Sequence, residues 1–182
     1  MGSEAILKEP YRAAMKGKWD RMINYYKKHS EYLQSPLTAS KETALHIAVC
    51  SKQEQPLKDL LEIMKENLPL PETEFLKKTN QFDNTVLHEA TIYGNNKAVK
   101  LLVDRCPELL SVRNEFGETP LFTAAGFAET EIVEFLIRSK PEQCVDDNGH
   151  LLSIHSKRSE DDLSILSAAI IGQNFGNNSS LY

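Results

Sequence analysis

The apolar and polar positions of this chain follow a pattern that occurs three times. Its clearest copy runs from Asn84 to Asn95, where Leu87 and Ala90 lie three positions apart, as on one face of a helix. The pattern starts again 34 residues later at Glu118, and an earlier copy starts at Glu42. A period of roughly 34 residues predicts a stack of helical units, which favours binding over catalysis.

Each copy is followed by a second helical segment. After the clearest copy, residues 97–105 are too apolar for an exposed helix, so a broad face of this segment is expected to be buried. Pro107 cannot continue the helix, and the chain turns there. In the next unit Pro120 stands at the first helical position, where its missing N–H costs little. Residues 129–138 then form the second helix, so each unit is predicted to contain two helices.

The third copy carries a more specific motif. Residues 114–125 have the form Asn-x-x-Gly-x-Thr-Pro-Leu-x-x-Ala-Ala, and Ile-Val-x-x-Leu follows at 132–136. This combination resembles the ankyrin repeat. The resemblance covers about residues 10–172 and implies an all-α solenoid with a turn and two antiparallel helices per unit. One departure is Ala128, which stands where Gly94 ends the helix of the preceding copy.

About five units are expected, of which the first and the last are atypical. The first is interpreted as an N-terminal capping repeat. The last has a first helix but no second one. The repeat domain is predicted over residues 1–172, with units at about 8–40, 41–79, 80–113 and 114–147 and a partial unit at 160–172. A disordered tail is predicted over 173–182. The long connections near 67–72 and 145–162 are expected to project from the stack as loops.

Three sequence segments indicate a particular group of ankyrin proteins. Leu60–Met64, Cys106–Leu110 and the phrase Ser-Ile-Leu-x-x-Ala-Ile-Ile-Gly at 164–172 are similar to plant ankyrin proteins of the membrane-anchored stress and defence group. Members of that group usually continue into membrane spans, so this chain is expected to be a fragment or a truncated form. The resemblance implies a role in stress or immune signalling in the cytoplasm, and at the inner face of the plasma membrane through partners.

Composition excludes several classes of function. The 21 basic residues are outnumbered by 26 acidic ones, giving a net charge of -5, whereas nucleic-acid binding needs clustered positive charge. No stretch approaches the roughly 18 apolar residues of a membrane span. The three cysteines are an odd number, which fits a reducing compartment better than a disulfide framework.

Candidate catalytic and metal-binding residues are few. Cys144, His150 and His155 are too loosely spaced for a zinc site, and no phosphate-binding loop or nucleophile elbow is present. We therefore predict no enzyme activity, no metal and no cofactor. His46 and His88 occupy the same position of the repeat, where the resemblance implies that histidines bond neighbouring loops and hold adjacent turns in register. The predicted structural residues are His46, His88, Gly94, Gly117 and Pro120.

The resemblance also implies where a protein partner binds. In an ankyrin stack, the two residues before the stopping glycine of each first helix lie towards the concave side, together with the turn tips. Aromatic residues in such places are effective anchors. The predicted partner-binding residues are Met15, Lys16, Ile92, Tyr93 and Phe127 on the concave side, and Phe82, Phe116, Glu115 and Glu118 at the turn tips. The sequence leaves open whether Ile92 and Phe127 are exposed or lie under a neighbouring helix.

Two alternative functions remain open at this point. A self-associating or membrane-protein-associated fragment would use the C-terminal end, where the apolar face of Ile165, Leu166, Ala169 and Ile170 lacks a covering helix. A small-ligand-binding regulator would need a closed pocket of roughly several hundred Å³.

Overall fold

The computed structural model describes the backbone of residues 3–67 and 71–176, and the side chains of residues 8–67 and 71–173. In these residues the chain forms twelve α-helices, and the predicted all-α solenoid is confirmed. In chain order they are α1 (Ser3–Met15), α2 (Trp19–Lys28), α3 (Ala44–Cys50), α4 (Gln55–Asn67), α5 (Glu72–Leu76), α6 (Val86–Ile92), α7 (Asn96–Arg105), α8 (Pro120–Gly126), α9 (Thr130–Ser139), α10 (Pro141–Cys144), α11 (Ser153–Ser156) and α12 (Ile165–Gly176).

The helices form two rows. We call α1, α3, α6, α8 and α12 the inner helices and α2, α4, α7 and α9 the outer helices, because each outer helix packs against the inner helix of its own unit. The core lies between the rows, where Leu87, Leu102, Leu121 and Leu136 are fully buried. Removing such side chains from water is the main term that stabilises a stack in which each unit contacts only its neighbours.

Polar residues define where the inner helices begin. Thr119 precedes α8, and its hydroxyl oxygen accepts a hydrogen bond from the N–H of Phe122 at 3.3 Å. Ser164 precedes α12 and accepts a hydrogen bond from the N–H of Ser167 at 3.1 Å. Such N-caps satisfy backbone donors that have no partner within the helix. The fifth unit therefore starts its inner helix as the fourth unit does.

A left-handed residue follows each of the first four inner helices. These residues are Gly17, Lys52, Gly94 and Ala128, with φ of 66°, 55°, 63° and 58°. Only glycine adopts this conformation without steric cost, since a Cβ atom then crowds the following carbonyl oxygen. The departure from the repeat pattern at Ala128 therefore changes the side chain but leaves the backbone geometry of the turn unchanged.

Replacing Ala128 with glycine is expected to stabilise the protein by about 0.5–1 kcal/mol. Relief of the left-handed strain outweighs the extra backbone freedom that glycine gives the unfolded chain. The measurement is the free energy of unfolding in urea. Ala169→Gly, inside α12, is the matched control and should destabilise by about 1 kcal/mol, because the helix there needs no left-handed residue. Equal effects of the two changes would contradict this explanation.

The chain that follows the connection near residues 67–72 packs against the stack. Glu72 begins the short helix α5, in which Phe75 and Leu76 are buried in the core. Arg105 of α7 donates hydrogen bonds to the carboxylates of Glu72 and Glu62, at 2.9 and 3.0 Å. Two buried apolar residues and an ion pair therefore fix residues 72–76 against the outer helices. The predicted projecting loop falls mainly on residues 68–70, which lie outside the described part of the chain.

The connection over residues 145–162 also packs in part against the stack. Val145 and Leu151 pair as an antiparallel bridge around an exposed turn. The chain then returns through α11, whose His155 is fully buried. The turn projects as predicted, whereas α11 does not, because the buried imidazole is bonded to the fourth unit.

Helix α12 extends past the predicted start of the disordered tail. Helix α12 continues through residues 173–176, which the sequence assigned to a disordered segment. Adding one residue to an existing helix costs far less than starting a new one, so polar residues can extend it. The other residues of the predicted tail, 177–182, lie outside the described part of the chain. The predicted boundaries of the five units stay predictions.

Candidate partner-binding surface

The turns before α6 and α8 are built in the same way. The side-chain oxygen of Asn80 accepts hydrogen bonds from the backbone N–H groups two and four residues later, at 2.9 and 3.1 Å. Asn114 does the same at 3.1 and 2.9 Å. Asp83 and Gly117 then adopt positive φ of 54° and 76°. Side-chain bonds of this kind hold the turn tips in a defined conformation.

Successive turns are also bonded to one another through their backbones. The N–H of Gln81 donates to the carbonyl oxygen of Ser40 at 2.8 Å, and the N–H of Glu115 donates to that of Phe82 at 3.0 Å. Each bond links one unit to the next. The tips therefore form a continuous edge along three units.

Two histidines join the units below this edge. His46 Nε2 bonds the carbonyl oxygen of Asn84 at 3.2 Å, and His88 Nε2 bonds that of Glu118 at 3.1 Å. The Nδ1 atom of His88 accepts a hydrogen bond from the N–H of Thr85 at 3.1 Å. Nδ1 is thus an acceptor and Nε2 a donor, which is the neutral imidazole. The two predicted structural histidines therefore each connect their own unit to the following turn.

Burial lowers the pKa of both histidines to about 4. Desolvation disfavours the charged imidazolium, and this effect outweighs the backbone carbonyl that favours it. Both rings are therefore neutral at pH 7. A fully buried neutral ring with both nitrogens bonded acts as a structural link between units.

Several predicted partner-binding residues are exposed. The exposed fractions are 55% for Met15, 54% for Phe127, 40% for Phe82 and 39% for Tyr93. Ile92 and Phe116 are half-buried, while Lys16 and Glu115 are exposed. The structure thus answers the question that the sequence left open, since Phe127 is exposed and Ile92 is only partly so.

Glu118 differs from the other turn-tip residues because its carboxylate already has partners. Arg158, from the turn before α12, donates to it at 3.1 Å and also bonds Asp161 at 2.6 Å. The guanidinium lowers the pKa of Asp161 to about 2. A partner that engages Glu118 has to compete with Arg158.

The predicted concave stripe is only partly continuous. Tyr93 and Phe127 directly follow α6 and α8, which pack side by side, so they occupy equivalent places in neighbouring units. Met15 is the last residue of α1, and the unit between α1 and α6 presents Cys50 and Ser51 at the equivalent place. The structure therefore groups Tyr93 with Phe127 and leaves Met15 apart.

A cleft of about 200 Å³ extends this surface beyond Phe127. It lies between α8, α12 and the turn at 158–164, and its apolar wall includes Phe122, Phe127, Ala168 and Ile171. Ile171 is 46% exposed. The sequence prediction missed this cleft and Ile171, although the spacing from Ser164 aligns Ile171 with Ile92. Its volume is below that of typical small-molecule sites and matches about one large side chain.

Sequence comparison agrees with this architecture. A sequence profile for ankyrin repeats (three copies) matches residues 56–148 and 87–174, which together cover more than half of the chain. The chain belongs to the ankyrin repeat family. The resemblance inferred from the turn and helix motifs is therefore confirmed at the level of the family.

Two individual proteins are similar to this ankyrin repeat chain. The human SMC5-SMC6 complex localization factor protein 1 is 36% identical over 97 residues, which are 53% of this chain and 8% of that protein. The chain thus spans a small part of that relative. A crystal structure of the yeast ribosomal protein Rps3 in complex with its chaperone Yar1 matches with a TM-score of 0.67 and 24% identity, covering 76% of this chain and 95% of the matched one. This second likeness shows the fold.

The described residues contain neither a candidate membrane span nor a candidate metal site. None of the helices in residues 3–67 and 71–176 is long and apolar enough to cross a bilayer. In the same residues, His, Cys, Asp and Glu side chains do not gather in groups of three or more that could hold a metal ion.

Proposed function

We propose that this ankyrin repeat chain is a non-enzymatic protein-interaction module that binds its partner through the concave side and the turn tips. The observation that carries the proposal is the pair Tyr93 and Phe127, two exposed aromatic side chains at equivalent places in adjacent units. Large aromatic side chains next to a cleft typically dominate the energetics of binding. The cleft beside Phe127 would receive one apolar side chain of the partner.

The rigidity of the surface supports this proposal. The bonded turns and the two histidine links fix the tips before a partner arrives, so little conformational entropy is lost on binding. The matched ankyrin structure contains a chaperone, Yar1, together with the protein it serves, Rps3. An ankyrin stack of similar shape therefore acts by binding a protein in that case.

The pathway that we propose is plant stress or immune signalling, with the chain in the cytoplasm or held by partners at the inner face of the plasma membrane. The support is the similarity of three sequence segments to that plant group: Leu60–Met64, Cys106–Leu110 and residues 164–172. Proximity labelling in the source tissue tests this proposal. Recovery of partners unrelated to stress or defence signalling would contradict the proposed pathway. The interaction surface is tested separately, by substitutions.

Tyr93→Ala and Phe127→Ala are each expected to weaken binding of a partner recovered by proximity labelling, by about tenfold or more, because each removes an anchor of about 1.4 kcal/mol or more. Isothermal titration measures the change. Met15→Ala is the matched control, since Met15 is equally exposed but lies apart from the pair. The Tyr93 and Phe127 side chains are at least 39% exposed, so both variants should fold. Unchanged affinity in the folded double variant would remove this face from consideration.

A further inference from the structure

Two adjoining clefts lie between α1 and α2, at the end of the stack opposite to α12. One has a volume of about 440 Å³ and the other about 300 Å³. Glu9 of α1 and Arg21 of α2 line both clefts, so the two clefts form one continuous groove. We call it the basic groove, because six cationic side chains line it: Lys8, Arg12, Lys16, Lys18, Arg21 and Lys28.

The positive charge of the first unit is opposite in sign to that of the whole chain. Residues 8–32 contain seven basic and three acidic side chains, whereas the whole chain contains 21 and 26. The packing of α1 against α2 brings cations from both helices to one groove, which the net charge of -5 does not reveal. The first unit therefore presents a positive surface at one end of an acidic molecule.

The cations of the basic groove are not neutralised within the described part of the chain. None of the ion pairs among the described side chains involves any of the six. By contrast, Arg105 and Arg158 each bind two carboxylates. An end unit needs polar side chains for solubility, but these can be of either sign, and like charges held close together repel one another. The arrangement therefore indicates that the groove binds an anionic partner.

The position of Glu9 distinguishes between classes of anion. Because Glu9 lines both clefts, its carboxylate opposes any negative charge at their junction. A nucleic acid strand carries one phosphate about every 3.4 Å, so a strand that crosses the groove places phosphates against Glu9. A bilayer presents a flat surface, which cannot enter either cleft. An acidic peptide can carry an uncharged residue beside Glu9 and carboxylates on both sides of it, so the charge pattern favours a peptide.

The spacing of the cations fits an extended chain. Arg21 and Lys28 are seven positions apart on α2, which is about 10 Å along the helix axis. An extended chain covers this distance in about three residues. Acidic residues about three positions apart in one segment can therefore reach both cations.

We propose that the basic groove binds an extended acidic segment of a partner protein, with carboxylates in both clefts and an uncharged residue beside Glu9. A positive end on the molecule also steers an acidic partner towards the groove and raises the rate of association. This surface is separate from the Tyr93 and Phe127 pair, so the two interactions can fail independently.

A short acidic peptide serves as the probe. The fluorescein-labelled peptide Glu-Asp-Glu-Gly-Glu-Asp-Glu is expected to show saturable binding to the whole protein below about 1 mM, in about 100 mM NaCl. Fluorescence anisotropy measures the binding. The same peptide with Gln and Asn in place of Glu and Asp should bind at least tenfold more weakly. Absence of saturable binding by the acidic peptide would overturn the proposal.

Two neighbouring lysines locate the binding site. Lys27 and Lys28 are both exposed and both lie in the last turn of α2, but only Lys28 lines the basic groove. Lys28→Glu is expected to weaken peptide binding at least tenfold, whereas Lys27→Glu, the matched control with the same change in net charge, should weaken it less than threefold. Equal losses in the two folded variants would show that net charge, and not the groove, attracts the peptide, and would overturn the proposal.

Glu9→Gln tests the predicted position of the uncharged residue. Removing this carboxylate is expected to strengthen binding of the acidic peptide about threefold, because a repulsion at the junction of the clefts is lost. The gain should be larger for a peptide with Glu in place of the central Gly. Equal binding of both peptides by the wild type and by Glu9→Gln would contradict the arrangement proposed for the segment.

Other occupants of the groove are tested with the same variants. Duplex DNA of about 20 base pairs, and phosphatidylcholine vesicles with about 30% phosphatidylserine, should bind more weakly than the peptide. Tighter binding of either, lost in Lys28→Glu, would show that the proposed class of partner is wrong. A dimer in light scattering that Lys28→Glu converts to a monomer would show that a second copy occupies the groove, and would also overturn the proposal. Tyr93→Ala should leave peptide binding unchanged, and a loss in that variant would contradict the assigned surface.

Discussion

Lowering the pH from 7 to 5 is expected to reduce the free energy of unfolding by about 4 kcal/mol, through His46 and His88 alone. Each has a pKa of about 4 in the folded protein, against an ordinary value of 6.5 in the unfolded chain. Between these values the unfolded state binds more protons, so stability falls as pH falls. At about 1.4 kcal/mol per pH unit, each histidine contributes roughly 2 kcal/mol over this interval.

The direction follows from the hydrogen bonds as well as from burial. Nδ1 of His88 accepts the N–H of Thr85, so a proton on Nδ1 would place two donors against each other. His46 has the same arrangement with Thr43. The stabilising effect of the neutral rings is fully present above pH 6.5 and declines as pH falls towards 4, below which both states are protonated. His155 adds to the loss, because burial also lowers its pKa.

Urea unfolding at pH 7, 6 and 5 measures this effect. His88→Gln should be less stable at pH 7 but should lose about 2 kcal/mol less than the wild type on going to pH 5, because one titrating ring is gone. His150→Gln is the matched control, since His150 is exposed on the turn at 146–151. An unchanged pH dependence in His88→Gln would show that other groups cause the loss.

The parts of this fold that the sequence predicts are those in which local pattern and packing agree. The inner and outer helices of the third and fourth units combine helical spacing, N-caps and a turn residue within one unit. His46 and His88 could be placed because the repeat itself positions them. Gly94 and Gly117 could be placed because their turns require positive φ.

The missed features depend on contacts between distant segments. Helix α5 forms because Phe75 and Leu76 find a buried site and Arg105 holds Glu72, which no local pattern shows. The cleft beside Phe127 exists only when α12 and the turn at 158–164 are brought to α8. Tertiary packing of this kind overrides local sequence preference, so segment-by-segment reasoning cannot find it.

His155 is the clearest example of such a long-range feature. In the second and third units, a threonine hydroxyl bonds the histidine three residues later, with 2.9 Å between Thr85 Oγ1 and His88 Nδ1. Phe122 stands at this position in the fourth unit and cannot make the bond. His155 of α11 takes its place, 2.8 Å from Thr119 Oγ1. The connection over residues 145–162 thus supplies an imidazole to the fourth unit, which has no histidine at the repeat position.

His155→Ala is expected to lower the free energy of unfolding by about 3 kcal/mol and the melting temperature by roughly 6–12 °C. The ring is fully buried, and its Nε2 donates to the carbonyl oxygen of Gln143 at 2.8 Å. The substitution leaves the Gln143 oxygen without its donor and the Thr119 O–H without its acceptor, and it opens a cavity. Both effects destabilise the protein. Thermal and urea unfolding at pH 7 measure the loss.

His150→Ala is the matched control, because His150 lies in the same connection but is exposed. It should change stability by less than about 0.5 kcal/mol. The two variants remove the same side chain from the same connection, and only the His155 variant removes a buried ring that is bonded to Thr119. If both variants proved equally stable, α11 would not be anchored to the fourth unit, and the place assigned to His155 in the stack would be wrong.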